Sequence, residues 1–370
     1  MTSILLISEG LGTKMGGPSE TIPMFAAHLS KLDIDIAIIC PTNNLPDTTV
    51  FNKTNIVEYR NIPLFIVKVI KFLKSKKTEE KIFHLNYIWR SEAIIILIFG
   101  IIFKARIILN PRGMLMDDAM SSGNSLKETV FKYFLKPIIK KSVFCFQASS
   151  RIEYESIKST FPTMNVFINT LGYQKSQKKK NLKVSPKEKY ETKQLIVVSR
   201  LDKHKNIDLI IKSFINSKCY KEGWKLKIYG AVKKTDYIEY ITPYTFDDLN
   251  IRNIFLGKFI NEKERINLLE QSTFFISASS SESFGVSIAE SLDSGTPIII
   301  RNNTIWEEYI KIGCGFSFSG NQLNDIFNEL NDISLDSYKR MISLIEEKFR
   351  PISWDDHTKI FLENITKLGI

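Results

Sequence analysis

The sequence predicts an α/β protein with two domains, each built around a parallel β-sheet. Three observations lead to this prediction. The chain has 370 residues, which is more than one hydrophobic core usually supports. Short β-branched runs alternate with longer amphipathic stretches in both halves, a pattern typical of buried parallel strands followed by helices. A stretch rich in Lys, Ser, Gln and Glu, Tyr173–Lys193, separates the two series of runs and reads as a linker.

Ten apolar runs are the predicted strands of two Rossmann-like domains. The first domain has SILLIS, DIAIIC, KIFHLN, RIILN and VFCFQAS. The second has QLIVVS, KLKIYG, NIFLG, TFFISAS and TPIII. Ligands of such sheets bind beyond the carboxyl ends of the strands, so we expect the shared site in the cleft between the two domains.

The predicted boundaries give a first domain over 1–178, a linker over 179–192, a second domain over 193–350 and a C-terminal helix over 351–370. The last segment, SWDDHTKIFLENITKL, has apolar residues at helical spacing after a plausible N-cap at Ser353. We expect this helix to pack back on the first domain.

Composition limits the class of protein. With 44% hydrophobic and 25% charged residues, the chain is typical of a folded soluble protein. Its first residues read as a strand rather than a signal peptide, and the longest apolar run, Ala93–Phe103, is shorter than the ~20 residues of a membrane-spanning helix. We therefore expect a cytoplasmic protein. The scattered Cys and His residues, without CxxC or HExxH, predict reduced core thiols and no dedicated metal site.

A glycine-rich turn follows the first predicted strand. Gly10, Gly12, Gly16 and Gly17 lie before an apolar helical pattern, a setting in which backbone amides can approach a phosphate. The spacing is neither GxGxxG nor a P-loop. A flexible β–α turn without ligand is the equally weighted alternative.

Two cations follow the first strand of the second half. Arg200 and Lys205 lie in the short loop of SRLDKHKN, before an apolar helical pattern. Two positive side chains beside a helix N-terminus suit a diphosphate. A solvated basic loop is the alternative, and it would be favoured for this stretch alone.

The segment SESFGVSIAES, residues 281–291, carries two glutamates eight positions apart. Helical spacing of its apolar residues predicts a helix beginning near Ser283 to Gly285. Glu282 would lie at the helix mouth, and Glu290 about two turns on, roughly 12 Å away at ~1.5 Å per residue. Paired glycosidase carboxylates are ~5 to 9.5 Å apart, so two contacts along one extended ligand fit better than an acid/base pair.

The mouth of that helix also suits a phosphate. Free amides at Phe284, Gly285 and Val286 would face it, and Gly285 permits close backbone approach. The structural alternatives are a carboxylate favoured by the helix dipole at Glu282 and an exposed helix residue at Glu290.

Taken together, these motifs resemble the retaining glycosyltransferases of family 4, which have the GT-B fold of two Rossmann-like domains facing across a cleft. SRLDKHKN resembles the family's arginine and lysine loop at Arg200 and Lys205. SSSESFGVSIAESLDSGTPII resembles its E-x7-E segment and the following turn. MGGP resembles the first-domain glycine loop, and NPRGML and TIWEEYIKIGCGF resemble segments of members that build bacterial surface polysaccharides.

The resemblance implies a UDP- or GDP-sugar donor held mainly by the second domain. Glu290 would accept hydrogen bonds from the ribose, and Glu282 from the donor sugar. Arg200 and Lys205 would stabilise the leaving diphosphate, a task that a metal ion performs in other transferases, so neither a cofactor nor a metal is expected. The implied donor-binding residues are Gly16, Gly17, Ser283, Phe284, Gly285, Val286 and Glu290.

Three departures from the family pattern bear on the site. Ser199 and Asn206 stand where glycines are usual. Asp293 stands where alanine is common and is expected on the exposed side of its helix. A first-domain histidine that many members carry is replaced in NPRG by Arg112. Arg112 and Gly113 are accordingly predicted as contacts on the acceptor side or with the donor sugar.

The excess positive charge lies in the first half. The net charge is +11, and residues 1–180 carry 25 Lys+Arg against 14 Asp+Glu. IPLFIVKVIKFLKSKK predicts a basic amphipathic helix with Leu64, Val67, Ile70 and Leu73 on its apolar face. It would contact anionic lipid on the cytoplasmic face of the inner membrane. Lysines that merely solvate core helices are an equally weighted alternative, and nucleic acid is not expected because no nucleic-acid module accompanies the charge.

The predicted function is metal-independent, retaining transfer of a sugar to a lipid-linked saccharide in O-antigen or capsule biosynthesis. Two alternatives remain open at this point. One is a nucleotide-sugar epimerase or phosphorylase of the same fold. The other is a membrane-associated scaffold that binds without turnover.

Overall fold

The computed structural model describes most of the chain, and its residues fall into two compact units. Unit 1 comprises Met1–Gln174 and Ile352–Ile370, and unit 2 comprises Lys175–Pro351. The described residues are 2–12, 17–32, 34–42, 55–75, 80–116, 120, 125–175, 184–231, 253–257, 260–280, 282–302 and 304–369.

Unit 1 contains a seven-stranded parallel sheet in the order β3-β2-β1-β4-β5-β6-β7. The central strands are mostly apolar on both faces, because helices cover both sides of the sheet. For example, Ile4 of β1 is opposite Ile36 of β2 and Ile82 of β4, and all three are buried. The strands are β1 Thr2–Ile7, β2 Asp35–Pro41, β3 Asn55–Tyr59, β4 Glu80–Leu85, β5 Arg106–Leu109, β6 Val143–Ala148 and β7 Val166–Ile168.

The helices of unit 1 bury an apolar stripe against this sheet. A π-helical turn, Phe131–Leu135, joins α4 to α5 and buries both of its terminal residues. The helices are α1 Gly17–Leu29, α2 Ile62–Lys74, α3 Ser91–Phe103, α4 Ser125–Val130, α5 Lys136–Ser142 and α6 Arg151–Thr160.

Unit 2 repeats the arrangement with six parallel strands in the order β10-β9-β8-β11-β12-β13. The strands are β8 Gln194–Val198, β9 Lys225–Tyr229, β10 Ile254–Gly257, β11 Phe274–Ser277, β12 Ile298–Arg301 and β13 Gly315–Phe318. The helices are α7 Pro186–Glu191, α8 Ile207–Ile215, α9 Lys218–Lys221, α10 Glu262–Gln271, α11 Val286–Asp293, α12 Glu307–Lys311, α13 Leu323–Asp332 and α14 Leu335–Lys348.

These two parallel sheets with flanking helices confirm the predicted α/β class with two Rossmann-like units. All ten predicted strands are present, but three further strands escaped prediction: β3, β7 and β13. Each lies at an edge of its sheet. An edge strand is only partly covered, so its sequence need not be continuously apolar, and Asn55–Tyr59 has a single buried residue, Tyr59.

The C-terminal helix, α15 Trp354–Lys367, begins after Ser353, whose hydroxyl accepts from the Asp356 amide. It belongs to unit 1 and contacts α1. Phe361 and His357 pack edge-on against Phe25 of α1, with ring centroids 5.0 and 4.9 Å from that ring.

The predicted linker over 179–192 contains a helix. Helix α7 begins with a capping box formed by Ser185 and Glu188. Its Lys189 is fully buried, and Nζ donates to Ser294 O, Gly295 O and Thr296 Oγ1 at 2.7–3.0 Å. These oxygens come from a turn more than 100 residues away, so composition alone could not distinguish this lysine from a solvated one. The division between the units lies earlier, after Gln174.

Helix α2 packs on the core mainly through residues that the prediction did not place on its apolar face. Phe65 and Val69 are fully buried, whereas Leu64 and Val67, predicted on the apolar face, are 41% and 58% exposed. The described part of the chain contains no helix that combines the length and apolarity needed to cross a bilayer.

Candidate functional site

The candidate site of unit 2 lies where the strand order of its sheet reverses. Strands β8 and β11 are paired in parallel at this point, so the loops that follow them leave the same edge side by side. Ligands of open α/β sheets bind at such a switch point. The loop after β8 carries Arg200 and Lys205, and the loop after β11 carries Ser279 and Glu282.

Lys205 and Glu282 are in direct contact. Nζ of Lys205 lies 2.5 Å from Oε1 of Glu282 and donates to Ser279 Oγ at 3.1 Å. The two charged side chains are 17% and 15% exposed. The structure therefore brings together two residues that the sequence predicted from motifs 77 positions apart.

Asn206 joins the same two loops. Its backbone has a φ of 48°, the left-handed conformation that a usual glycine would adopt easily, and asparagine is among the residues that tolerate it. Its side-chain Nδ2 donates to Ala278 O and Ser280 Oγ, both at 2.8 Å. The amide of Ser280 in turn donates to His204 O at 3.0 Å. An asparagine at position 206, where the family pattern has glycine, thus adds hydrogen bonds between the two loops.

Arg200 is more exposed to solvent than Lys205. Its guanidinium is 39% exposed and 4.0 Å from Asp202 Oδ2. Asp202 also caps the following 3₁₀ turn, Lys203–Lys205, because its side chain accepts from the His204 amide. A contact of 4.0 Å to a guanidinium that is 39% exposed holds the arginine weakly, so Arg200 can turn toward an anion.

Helix α11 begins beside this cluster, with Gly285 as its N-cap at φ 83°. A Cβ at Gly285 would lie 2.8 Å from Cδ1 of Ile288 and 3.3 Å from Nε1 of Trp306, so only glycine fits without strain. No side chain caps the helix, so its first turn presents backbone N–H groups, the partial positive end of the helix. Ser283 and Val286 are partly exposed, and Phe284 is buried.

Trp306 supports this helix start from behind. Its indole Nε1 donates to Phe284 O, and the two rings pack edge to face at 5.1 Å between centroids. Trp306 is 3% exposed. It therefore fixes the backbone just before the glycine N-cap.

Glu290 lies on α11 and is bound by an arginine from α10. Nε of Arg265 is 2.8 Å from Oε2 of Glu290, and Nη2 is 2.6 Å from Oε1. The Arg265 and Glu290 side chains are 10% and 7% exposed. The exposed-helix alternative for Glu290 is therefore wrong: the carboxylate is buried and held in one orientation by a bidentate pair.

Two details of the predicted segment need correction. Helix α11 begins at Val286, so Glu282 precedes it and the helical rise does not measure its separation from Glu290. Asp293, predicted on the exposed side, is 3% exposed. The last turn of this short helix is covered on all sides because helix α14 also packs against it.

Unit 1 has a second polar cluster at the carboxyl edge of its sheet. Arg112 follows β5, and its Nε donates to Asn86 Oδ1 at 3.0 Å while Nη1 donates to Thr21 Oγ1 at 3.1 Å. Asn86 follows β4, and Thr21 lies in the first turns of α1. Desolvation lowers the pKa of Arg112 to about 10, so the guanidinium stays charged at neutral pH.

Glu153 organises the backbone around Gly113. Its carboxylate is fully buried and accepts from the amides of Gly113 at 2.5 Å and Ser149 at 2.7 Å. Burial raises the pKa of Glu153, an effect that these hydrogen bonds and the Arg112 charge oppose. Arg112 and Gly113 both have positive φ, 50° and 81°. Glu153 therefore holds the turn in which both predicted residues lie.

A buried histidine extends this network into the sheet. Nε2 of His84 lies 2.8 Å from Gln147 Oε1, and Nδ1 lies 3.1 Å from Asn86 Nδ2. Burial lowers the pKa of His84 to about 4, so the ring is neutral at pH 7. With Asn86 as donor, Nδ1 accepts and the Nε2 proton goes to Gln147.

Two other predictions concern the glycine turn and metal binding. Gly17 is the first residue of α1, and Gly16 lies outside the described residues. Within the described ranges, no group of three or more His, Cys, Asp or Glu side chains is arranged to hold a metal ion.

Sequence reasoning missed Arg265, Trp306, Asn86 and Glu153. Arg265 had a recognisable signal. It precedes Leu269 by four positions in the capped helix α10, so it occupies the apolar face. A cation on an apolar face indicates a buried anionic partner. The other three act through tertiary contacts that no local pattern predicts.

Known proteins resemble this chain in sequence and in fold. Residues 178–348 match the family model described as glycosyl transferases group 1, which spans nearly all of unit 2. The match covers less than half of the chain.

One curated protein and two solved structures illustrate the likeness. A probable sucrose-phosphate synthase of Thermosipho melanesiensis is 27% identical over 198 residues, which cover 49% of this chain and 43% of that protein. HepE of Anabaena, solved in complex with UDP and glucose, covers 99% of both chains with a TM-score of 0.71 and 12% identity. WaaG, a glycosyltransferase involved in lipopolysaccharide biosynthesis, covers 94% of this chain and 98% of its own with a TM-score of 0.65 and 12% identity. The two structures establish likeness of fold of the GT-B type along the chain.

Proposed function

We propose that the protein is a retaining glycosyltransferase that moves a sugar from a nucleotide-sugar, a UDP- or GDP-sugar, to a hydroxyl of a lipid-linked saccharide. The observation that carries this proposal is the cluster of Lys205, Ser279 and Glu282 at the switch point of unit 2. It combines a cation for a phosphate with a carboxylate for sugar hydroxyls, beside an uncapped helix start at Gly285.

The diphosphate would be bound by positive charge from three sources. Lys205 is partly buried and already oriented by Ser279 and Glu282. Arg200 is the more exposed cation of the same loop. The first turn of α11 adds backbone amides. Together these groups can stabilise the charge that develops on the leaving diphosphate, so we propose transfer without a metal ion.

The two glutamates would bind different parts of the donor. Glu282 would accept hydrogen bonds from donor-sugar hydroxyls, since its second oxygen, Oε2, is not the one nearest Lys205. Glu290 would accept hydrogen bonds from the ribose, because Arg265 holds its carboxylate in one orientation. Arg265 is then a positioning residue that fixes the Glu290 rotamer.

The reaction needs no nucleophile from the protein. The acceptor hydroxyl oxygen forms a bond to the anomeric carbon on the face from which the diphosphate departs. The bond between that carbon and the diphosphate oxygen breaks with both electrons passing to the oxygen. The acceptor proton goes to a phosphate oxygen. Configuration is retained because attack and departure share one face.

Two observations support a lipid-linked acceptor in surface polysaccharide synthesis, either O-antigen or capsule. The stretch from Arg60 to Lys141 in unit 1 carries 16 Lys+Arg against 6 Asp+Glu, a positive charge that suits the cytoplasmic face of an inner membrane. A protein of the same fold, WaaG, is involved in lipopolysaccharide biosynthesis. Arg112 and Gly113 are proposed as the acceptor-side or donor-sugar contact in unit 1, held by Asn86 and Glu153.

Saturation-transfer NMR with UDP-, GDP- and dTDP-sugars tests the donor site. We expect saturation transfer from the wild-type chain to one nucleotide-sugar, and loss of this NMR signal in Arg200→Ala and Glu290→Ala. Lys218→Ala, an exposed lysine of unit 2, is the matched control. No saturation transfer to any of the nucleotide-sugars, or an unchanged NMR signal in both site variants, would refute the proposal.

A product assay then separates transfer from related chemistry. A glycosyltransferase consumes donor only with acceptor, an epimerase converts donor alone, and a phosphorylase forms sugar phosphate only with inorganic phosphate. We expect Lys205→Ala to lower the transfer rate about 100-fold or more, as loss of a transition-state charge contact does. Liposome binding without any turnover would favour the scaffold alternative.

A further inference from the structure

One layer of helices in unit 1 has an outer face that takes no part in the hydrophobic core. Helix α3 contacts both α2 and α5, and the inward residues of all three join one hydrophobic cluster with one face of the sheet. Phe65, Ile96 and Ile139 are their fully buried representatives. The outer side of this layer, from α2 through α3 to the α4–α5 segment, is called here the outer helical face.

The outer helical face is unusually apolar. Eight of the eleven large hydrophobic side chains that are exposed in the described part of the chain lie on it. The most exposed are Tyr133 at 72%, Ile102 at 63%, Val67 at 58%, Phe134 at 54% and Phe103 at 47%. Single exposed apolar residues are ordinary on a protein surface, but a concentration on neighbouring helices marks an interaction surface.

The same face is strongly basic. Six lysines of α2, the π turn and α5 are exposed, against one exposed acidic residue, Glu128. None of the six forms an ion pair with another described residue. They are Lys68, Lys71, Lys74, Lys132, Lys140 and Lys141.

We propose that the outer helical face docks on an anionic lipid surface, with Ile102, Phe103, Tyr133 and Phe134 entering the headgroup region and the lysines contacting lipid phosphates. Charge complementarity selects this partner. Aliphatic and aromatic tips between lysines match an interface that is apolar inside and negatively charged outside. A nucleic acid would use the lysines but would leave Ile102 and Phe103 without a role.

The expected energetics are those of peripheral attachment. Each basic residue near an anionic surface changes the membrane partition coefficient about fivefold. Loss of three lysines should therefore weaken binding by about 100-fold. The link between docking and a lipid-borne acceptor rests on the proposed function, whereas docking itself can be measured without any sugar transfer.

Flotation of the full chain with vesicles tests the proposal. We expect flotation with phosphatidylcholine vesicles that contain phosphatidylglycerol, and none with phosphatidylcholine alone. The charge variant Lys68→Gln/Lys71→Gln/Lys74→Gln and the apolar variant Ile102→Ser/Phe103→Ser should each lose flotation. All five side chains are exposed, so these changes leave the core intact.

Matched controls use unit 2. Lys218→Gln/Lys339→Gln/Lys348→Gln removes the same charge from exposed positions, and Phe255→Ser removes an exposed aromatic ring. Both should float as the wild type does. Equal loss in the controls would overturn the proposal, as would flotation independent of phosphatidylglycerol.

Two further results would also contradict it. Sedimentation showing a dimer that the apolar variant dissociates would assign the face to a second copy of this chain. Tighter binding to duplex DNA than to vesicles would assign it to nucleic acid. Donor binding by NMR requires no vesicle, so its persistence in a chain that does not float would reject docking alone and leave the proposed function standing.

Discussion

The buried pair of Arg265 and Glu290 provides the sharpest test of the unit 2 site. Methionine resembles both side chains in length, so we consider Arg265→Met, Glu290→Met and the double variant. In each single variant one charge stays buried without its partner. The two side chains are 10% and 7% exposed and share two hydrogen bonds of 2.6 and 2.8 Å, so water cannot replace the lost contact.

Breaking such a pair costs about 3–5 kcal/mol, whereas replacing both members by apolar groups is often neutral or stabilising. We therefore expect each single variant to lower the free energy of unfolding of unit 2 by about 3–5 kcal/mol. The double variant should be within about 1 kcal/mol of the wild type. The coupling energy would then be about 5 kcal/mol or more, above the range of about 0.5–3 kcal/mol that is usual for contacting residues.

Native-state hydrogen exchange of the amides of β11 and β12 measures this free energy within unit 2. The matched control is the same cycle on Lys218 and Asp332, whose side chains are 59% and 63% exposed and 3.2 Å apart. Its coupling energy should be below about 1 kcal/mol. Additive effects at Arg265 and Glu290, with coupling below about 0.5 kcal/mol, would refute the buried pair.

Three other predictions concern the supports of the two clusters. Because the pKa of His84 is lowered from 6.5 to about 4, its contribution to stability is complete above pH 6.5 and is lost as pH falls toward 4, by about 3 kcal/mol. Hydrogen exchange of the β4 amides should show that His84→Gln loses less stability than the wild type as the pH falls from 6.5 toward 4. An equal loss of stability in both proteins would contradict this assignment to His84. Gly285→Ala should destabilise unit 2 by about 1–3 kcal/mol, because φ is 83° and Cβ meets Ile288; a stabilised variant in thermal unfolding would show this strain to be absent. Trp306→Phe keeps a ring but removes the donor to Phe284 O, so we expect weaker donor binding by NMR with a loss of stability of about 1–3 kcal/mol. Unchanged binding would remove Trp306 from the support of α11.

Much of the fold follows directly from local pattern. Central parallel strands are covered on both faces, so their sequences are mostly apolar, and all nine were recognisable together with the edge strand β10. The edge strands β3, β7 and β13 were not, because one side of an edge strand is left uncovered. Ser353 and the apolar spacing after it were sufficient to predict α15.

The site divides in the same way. The local sequence predicts four residues of the site, because each lies between a recognisable strand and a recognisable helix: Arg200, Lys205, Glu282 and Gly285. It does not predict their contacts, since the Lys205–Glu282 pair depends on β8 and β11 being neighbours. The local sequence therefore predicts which residues form the cluster, whereas the order of the strands decides which of them are in contact.

The sequence by itself determined two Rossmann-like units and the residues that follow their strands. Tertiary structure alone decided which charges are buried and paired. The sequence is compatible with Glu290 as a surface residue or as a ribose contact, and only the fold shows that Arg265 of α10 binds it. The composition around Lys189 predicts a linker, and only the fold shows that this lysine is buried and donates to three oxygens. Local sequence specifies the ionisable group, but its solvation depends on residues brought to it by the fold, and that dependence decides its energetic role.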